Sequence, residues 1–328
     1  MLKLKQFLAL AGLAALEAIR QPICLLLSSA CVVLSTLIPF LHMYKYGEDG
    51  KLVRDGALAL HFFFGVFIAG YAASSSLARE MRTGTASVVL SKPVSREVFF
   101  LSKFAGITVL ILAFSSCATM VTLLSERVAE RFYFTDKLVG YCTDWQTGVL
   151  LIAAPFAAYL VAAVINYLAK RPFESTAFGL LVLFLFLVFL VCGFFDTTGH
   201  PAPFDFRVQW RIVPASLLVT MALIVLSAIA MGLSTRLTTV PTLTICSAIF
   251  LAGLMSDFLF GRNAEVSLIA GFLYCVIPNW QHFWVSDALT GGGTIPWTYI
   301  LNAGSYALVY SAGILCLGIM SFRHAEMR

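Results

Sequence analysis

The chain has 328 residues, of which 60% are hydrophobic and 12% charged, with a mean hydropathy of +0.90 and a formal net charge of +5. So few charges cannot cover a water-soluble fold built from so much apolar surface, which excludes a soluble enzyme or binding module and makes a bilayer the expected solvent. No nucleic-acid partner is expected.

The first 21 residues open on Lys3 and Lys5 and then turn apolar. At about 100° per residue, Lys3, Gln6, Glu17 and Arg20 share one arc, and Leu4, Leu8, Ala11, Ala15 and Ile19 lie opposite. Leu10 and Leu13 intrude on the polar arc and Lys5 falls outside it. The pattern predicts an amphipathic helix over 1–21 lying in the membrane surface. A cleaved signal peptide with small residues near Ala14 and Ala15 is the alternative, and Glu17 and Arg20, so close to the next apolar run, count against cleavage.

Eight segments then carry the roughly 20 apolar residues that a helix needs to cross a hydrocarbon core of about 30 Å. They are Pro22 to Met43, Ala57 to Ala78, Phe104 to Leu124, Gly148 to Leu168, Ala177 to Phe195, Pro214 to Leu233, Pro241 to Leu259 and Trp297 to Phe322. Pro22 sits where a helix tolerates proline, at its start. A further run, Val266 to Ile277, is too short to cross and predicts a re-entrant segment over 265–283, with its free backbone groups buried in protein or wetted. The fold class expected is an all-α integral membrane protein. It is a single domain over 1–328 with about eight transmembrane helices, an N-terminal amphipathic helix and one re-entrant segment.

An even number of crossings puts both termini on one side. Lys and Arg are more numerous there, and acidic residues gather on the other side. The positive-inside rule then places both termini and the 79–103 loop in the cytoplasm, with the chain multi-pass in a plasma (inner) membrane.

Chemistry inside the spans is sparse. No Asp, Glu, Lys or Arg stands near the middle of a segment, and Asp257, two residues from the outer end of its own, reads as a wetted interfacial carboxylate. Ion coupling, intramembrane hydrolysis and voltage sensing are therefore not expected. All cysteines but Cys142 lie in apolar runs without CxxC spacing, and the histidines sit at span ends and loops without paired spacing. Neither a disulfide framework nor a metal or other cofactor is predicted. No Gly-rich phosphate cradle ending in Lys and then Ser or Thr is present, so any ATPase must be a separate chain and this one is not expected to be an enzyme.

The polar stretch between the second and third spans, residues 79–103, reads as a short basic helix, a turn and a second helix. Thr83 or Thr85 can cap a helix over 86–90, and Ser91-Lys92-Pro93 stops it and turns the chain. Gly84 permits a turn that a side chain would hinder, and Ser95 can cap the helix that runs through Phe99 and Phe100 into the third span. The product is a stubby helix ringed by Arg82, Lys92 and Arg96, suited to a groove on a cytosolic protein. An ordinary positive-inside loop with capped helix ends has the same composition.

Glu80, Gly84-Thr85, Leu90-Ser91-Lys92-Pro93-Val94-Ser95-Arg96 and Lys103 resemble the stretch after the second span in permeases of type-2 ABC exporters. Glu17-Ala18-Ile19-Arg20 looks like the end of that family's elbow helix. Val276-Ile277-Pro278-Asn279-Trp280-Gln281-His282-Phe283, followed by Asp287-Ala288-Leu289, resembles the segment before the last span in the branch related to copper-enzyme maturation permeases. The resemblance implies a coupling helix in the 79–103 loop that inserts into a separate ATP-binding cassette ATPase subunit. Glu80, Arg82, Gly84, Thr85, Ser91, Lys92, Pro93, Ser95, Arg96 and Lys103 would be its partner-binding residues. It further implies a second permease subunit, identical or not, and re-entrant helices before the last span. Six spans are usual in the family, so the extra pair falls around Gly148 to Phe195, and no pathway residue is carried over there. The function implied is the membrane-spanning subunit of an ATP-driven exporter. A membrane scaffold or assembly factor that recruits a cytosolic protein through the same loop is the alternative, and the substrate stays open.

Two local patterns have competing readings. Gly65, Ala69 and Ala73 form a small-residue stripe that suits close packing inside one subunit or a seam between two. Trp280, Phe283, Trp284 and Trp297 read as an interfacial aromatic belt, with an outer gate as the alternative.

Overall fold

A computed structural model describes residues 2–41, 50–83, 95–135, 138–195, 200–204, 208–263 and 267–323. Its helices are α1 (Leu2–Ile19), α2 (Pro22–Leu37), α3 (Lys51–Thr83), α4 (Arg96–Val128), α5 (Trp145–Ala169), α6 (Phe173–Gly193), α7 (Ile212–Ser234), α8 (Thr239–Leu254), α9 (Ser256–Leu259), α10 (Leu268–Val276) and α11 (Trp297–Arg323). Among the described residues seven helices are long and apolar enough to cross a bilayer, namely α2 with the 3-10 turn that follows it, α3 to α7, and α11. The chain is an all-α integral membrane protein.

The starts of these helices follow from local chemistry. Pro22 opens α2 at the position that needs no N–H donor. The Ser95 hydroxyl accepts from Val98 N–H and caps α4, as its place before a helix predicts. Asp144 caps α5, accepting from Thr147 N–H at 3.0 Å and from the Thr147 hydroxyl at 2.9 Å.

The core is built around α7, packed on α3, α4 and α11. Ala69 and Ala73 of α3 are fully buried, and a side chain at Gly65 would occupy the space that Leu223 of α7 fills. The small-residue stripe is thus filled from within this chain. The pair α5–α6 is fastened at one corner. Arg127, at the end of α4, donates from Nε to Asp144 Oδ2 at 3.0 Å and from its Nη atoms to the carbonyls of Cys192 and Phe195.

Side-chain contacts sort the helix ends. Lys103 ties α4 to Glu17 of α1, Arg96 donates to the carbonyl of Arg323 in the last turn of α11, and Arg236, just past α7, donates to Ser321. The end of α1 at Glu17 and the end of α11 at Arg323 therefore lie at the same end of the bundle as the 84–94 connection, here called the loop end. Between the end of α7 and the start of α11 the chain therefore runs from the loop end toward the opposite end, and α8 begins that return. It leaves the loop end at Thr239 and stops at Leu254, whose carbonyl accepts from Gln281, beside the His282 carbonyl that meets Tyr299 near the start of α11.

The expected span Pro241 to Leu259 is corrected accordingly. Its helix has 16 residues, about 24 Å at roughly 1.5 Å per residue, and breaks at Met255. Gly253 gives up its side-chain space to the Pro278 carbonyl and the Trp280 indole, which pack against the helix where it ends.

Two further differences concern residues outside the long helices. An antiparallel hairpin joins β1 (Arg131–Thr135) to β2 (Leu138–Cys142), with Arg131 opposite Cys142. Two short runs rich in aromatic and branched residues, two residues apart, carry that signal. The aromatic belt is corrected too. Trp280 and Phe283 are fully buried, their rings packed at a tilt against Phe250 and Tyr306 in the space between α8 and α11, whereas Trp297 is 63% exposed as a belt residue would be.

Candidate functional site

The loop end gathers most of the described residues that the sequence marks as partner-binding. At its centre is Lys103, only 4% exposed, whose Nζ stands 2.6 Å from Glu80 Oε1 and 2.8 Å from Glu17 Oε2. One ammonium thus bridges the last turns of α3, the first turns of α4 and the end of α1. Buried charge persists only when paired, and here a single cation serves two carboxylates. Glu80 Oε2 is buried with no hydrogen-bond partner among the described residues.

Gly106, one turn beyond Lys103, brings α1 still closer. A Cβ there would stand 2.6 Å from Ala14 Cβ and 2.7 Å from both Ala11 O and Ala15 N. The inward side of α1 is made of Ala14, Ala15 and Ala18, while Leu4, Leu8, Leu13 and Leu16 point outward and are at least half exposed. This divides the helix between protein and lipid in a way that the polar arc did not foresee. Small residues seat it, and the large apolar ones face the surroundings.

Ser95, Arg96 and Glu97 form the neighbouring corner. Arg96 Nη1 donates to the Arg323 carbonyl at 2.7 Å, Arg323 pairs with Glu97, and the Phe99 and Phe322 rings stack with centroids 6.1 Å apart. The end of α11 is thereby clipped to the start of α4. Arg96 stays exposed, but Lys103 is buried, so any influence of Lys103 on a partner passes through the joint that it holds. Arg82 lies in the last turn of α3. Gly84, Thr85, Ser91, Lys92 and Pro93, and the helix expected over 86–90, lie outside the described residues.

Two buried polar groups escaped the sequence reading. Hydropathy puts His61 near a span end, but α3 begins six residues earlier than hydropathy suggests and carries it into the core, fully buried. Its Nε2 lies 3.0 Å from Ser115 Oγ on α4 and its Nδ1 3.3 Å from Ser216 Oγ on α7, and Ser216 meets Thr119 at 2.5 Å. A neutral imidazole offers one donor and one acceptor, so one ring joins three helices with both nitrogens satisfied. At the opposite end of the bundle from the loop, Glu126 is fully buried and pairs with Arg131. Among the described residues no group of three or more His, Cys, Asp or Glu side chains could hold a metal ion.

Residues 19–179 match the family model described as ABC-2 family transporter protein. The matched stretch, just under half of the chain, runs from the last residue of α1 into α6 and includes the 84–94 connection with Glu80 and Lys103, while Glu17 lies just before it. The match supports an ABC-2-type permease, a membrane component of an ABC transporter. No curated protein matches the chain.

Proposed function

We propose that the chain is the membrane-spanning subunit of an ATP-driven ABC exporter, of the branch related to copper-enzyme maturation permeases. In this reading a separate ATPase grips the 79–103 loop, a second permease subunit completes the complex, and the loop and both termini face the cytoplasm of a plasma (inner) membrane. The carrying observation is the Lys103 joint, since a push on the loop reaches α1, α3 and α4 together through Glu17, Glu80 and Lys103. Closure of the ATPases then moves the loop as a rigid body and tilts the spans between two states. Gly84 and Pro93 fix the shape of the gripped element, and Arg82, Lys92 and Arg96 dock it. The segment 265–283 is re-entrant in this reading. The Tyr310 hydroxyl, halfway along α11, donates to the Val276 carbonyl at 2.6 Å, and that bond supports a chain dipping to mid-depth.

Gentle purification of the tagged chain from its native membrane, with mass spectrometry of its partners and an ATPase assay, tests this reading. A stoichiometric Walker-type ATPase is expected, with hydrolysis uncoupled or the partner lost in Gly84→Trp. Absence of such a partner in several mild detergents would move the function to a scaffold that recruits a cytosolic protein and transports nothing.

A further inference from the structure

Between α7, α8, α11 and the end of α10 lies a hollow of about 650 Å³, within the roughly 300–1,000 Å³ typical of small-molecule sites. Its walls are aliphatic and aromatic, with Val276 and Tyr310 at the deep end and Ile314 and Leu317 along the side. Apart from the Tyr310 hydroxyl, which donates to the Val276 carbonyl at the deep end, the polar side chains lie at the mouth. There Arg236 donates from Nε to Ser321 Oγ at 3.0 Å and from Nη2 to the Ser321 carbonyl at 3.4 Å, and the Thr235 hydroxyl donates to Ser321 Oγ at 2.9 Å. These bonds hold an exposed guanidinium over the opening. No carboxylate stands among the lining residues, and Arg236 pairs with none among the described residues.

The dimensions select an occupant. From Ser321 to Tyr310 along α11 is roughly 16 Å at about 1.5 Å per residue, which is half of a hydrocarbon core about 30 Å thick. The hollow therefore runs from the loop-end surface to the middle of the bilayer, the depth of one leaflet. Its floor is the end of α10, where Tyr310 already satisfies the Val276 carbonyl. An acyl chain fits these walls, and a phosphate fits the mouth, where a guanidinium can bond it through paired N–H groups. Basic pockets between helices at a membrane surface suit anionic headgroups.

We infer that this hollow is a binding site for one anionic phospholipid of the loop-end leaflet, its acyl chain between α7 and α11 and its phosphate on Arg236. The site needs only a membrane-embedded chain and does not rest on the ATP-driven reading.

The test uses the purified full chain in phosphatidylcholine nanodiscs, given phosphatidylglycerol with a photoactivatable diazirine on its acyl chain, with adducts mapped by mass spectrometry. Adducts are expected on Tyr310, Ile314 or Leu317, competed several-fold better by unlabelled phosphatidylglycerol than by phosphatidylcholine. Arg236→Gln should abolish that preference, Arg236→Lys should keep most of it, and Leu317→Trp, which narrows the hollow, should reduce labelling of Tyr310. Equal competition by the two lipids, a preference unchanged in Arg236→Gln, or adducts confined to outward residues such as Leu301 and Leu308 would overturn the site. Adducts on Tyr310, Ile314 and Leu317 that appear in nanodiscs holding one copy of the chain and vanish in those holding two would overturn it in favour of an interface between subunits.

Discussion

Lys103 of α4 and Glu17 of α1 are 86 positions apart in the chain and meet at 2.8 Å. The same ammonium holds Glu80, so the amphipathic helix, the end of α3 and the start of α4 share one joint at the root of the 84–94 connection. Gly106 closes the seat from the side, where there is no room for a β-carbon.

Lys103→Met leaves two carboxylates without their cation. Removing one partner of a buried pair costs about 3–5 kcal/mol, so the thermal midpoint in detergent should fall by several degrees. Adding Glu17→Gln and Glu80→Gln should restore much of it, because neutral amides need no counter-charge. An unchanged midpoint for Lys103→Met would show that the joint contributes nothing.

Gly106→Val should detach α1 with little harm to the bundle behind it. Amide hydrogen exchange over 11–18 should rise by an order of magnitude or more, corresponding to about 1.4 kcal/mol for each tenfold change, while α7 keeps its protection. Equal exchange in α1 for the variant and the parent would refute the close seating.

The spans were legible because roughly 20 consecutive apolar residues are a strong signal in a chain with so few charges. The Ser95 cap was legible for a similar reason, since its cause lies within three residues of it. What escaped depends on distant partners. Hydropathy continues from Leu254 to Leu259 and cannot report that Trp280 packs on Gly253 and ends the helix there. Lys103 reads as a surface cation until Glu17 and Glu80 arrive from two other helices. His61 looks like a span-end residue because hydropathy starts a helix where charges stop, whereas α3 keeps Arg54 buried within it.

Arg127→Met should loosen the pair α5–α6 at its fastened corner. Asp144 keeps its bonds to Thr147 but loses the guanidinium, at a cost again of about 3–5 kcal/mol. Faster hydrogen exchange in α5 and α6 than in α3 and α7 is the expected pattern. A uniform loss across all four helices would mean that the pair is an integral part of the core.

His61→Leu removes the ring that joins Ser115 and Ser216. Leaving buried hydroxyls unmatched costs about 1–3 kcal/mol, which thermal unfolding in detergent can read. His61→Gln, which retains a donor and an acceptor, should recover part of the loss. A leucine variant as stable as the parent would show that the hydroxyls satisfy themselves on their own helices.

The central claim, that force on the 79–103 loop reaches the spans through Lys103, is tested most directly by hydrogen exchange on the complex with its co-purified ATPase. Nucleotide-free complexes are compared with complexes trapped by ATP and vanadate. The account predicts altered protection over 11–18 in α1 and over 96–106 in α4, confined to the loop in Lys103→Met. Identical exchange in α1, α3 and α4 with and without nucleotide would contradict it.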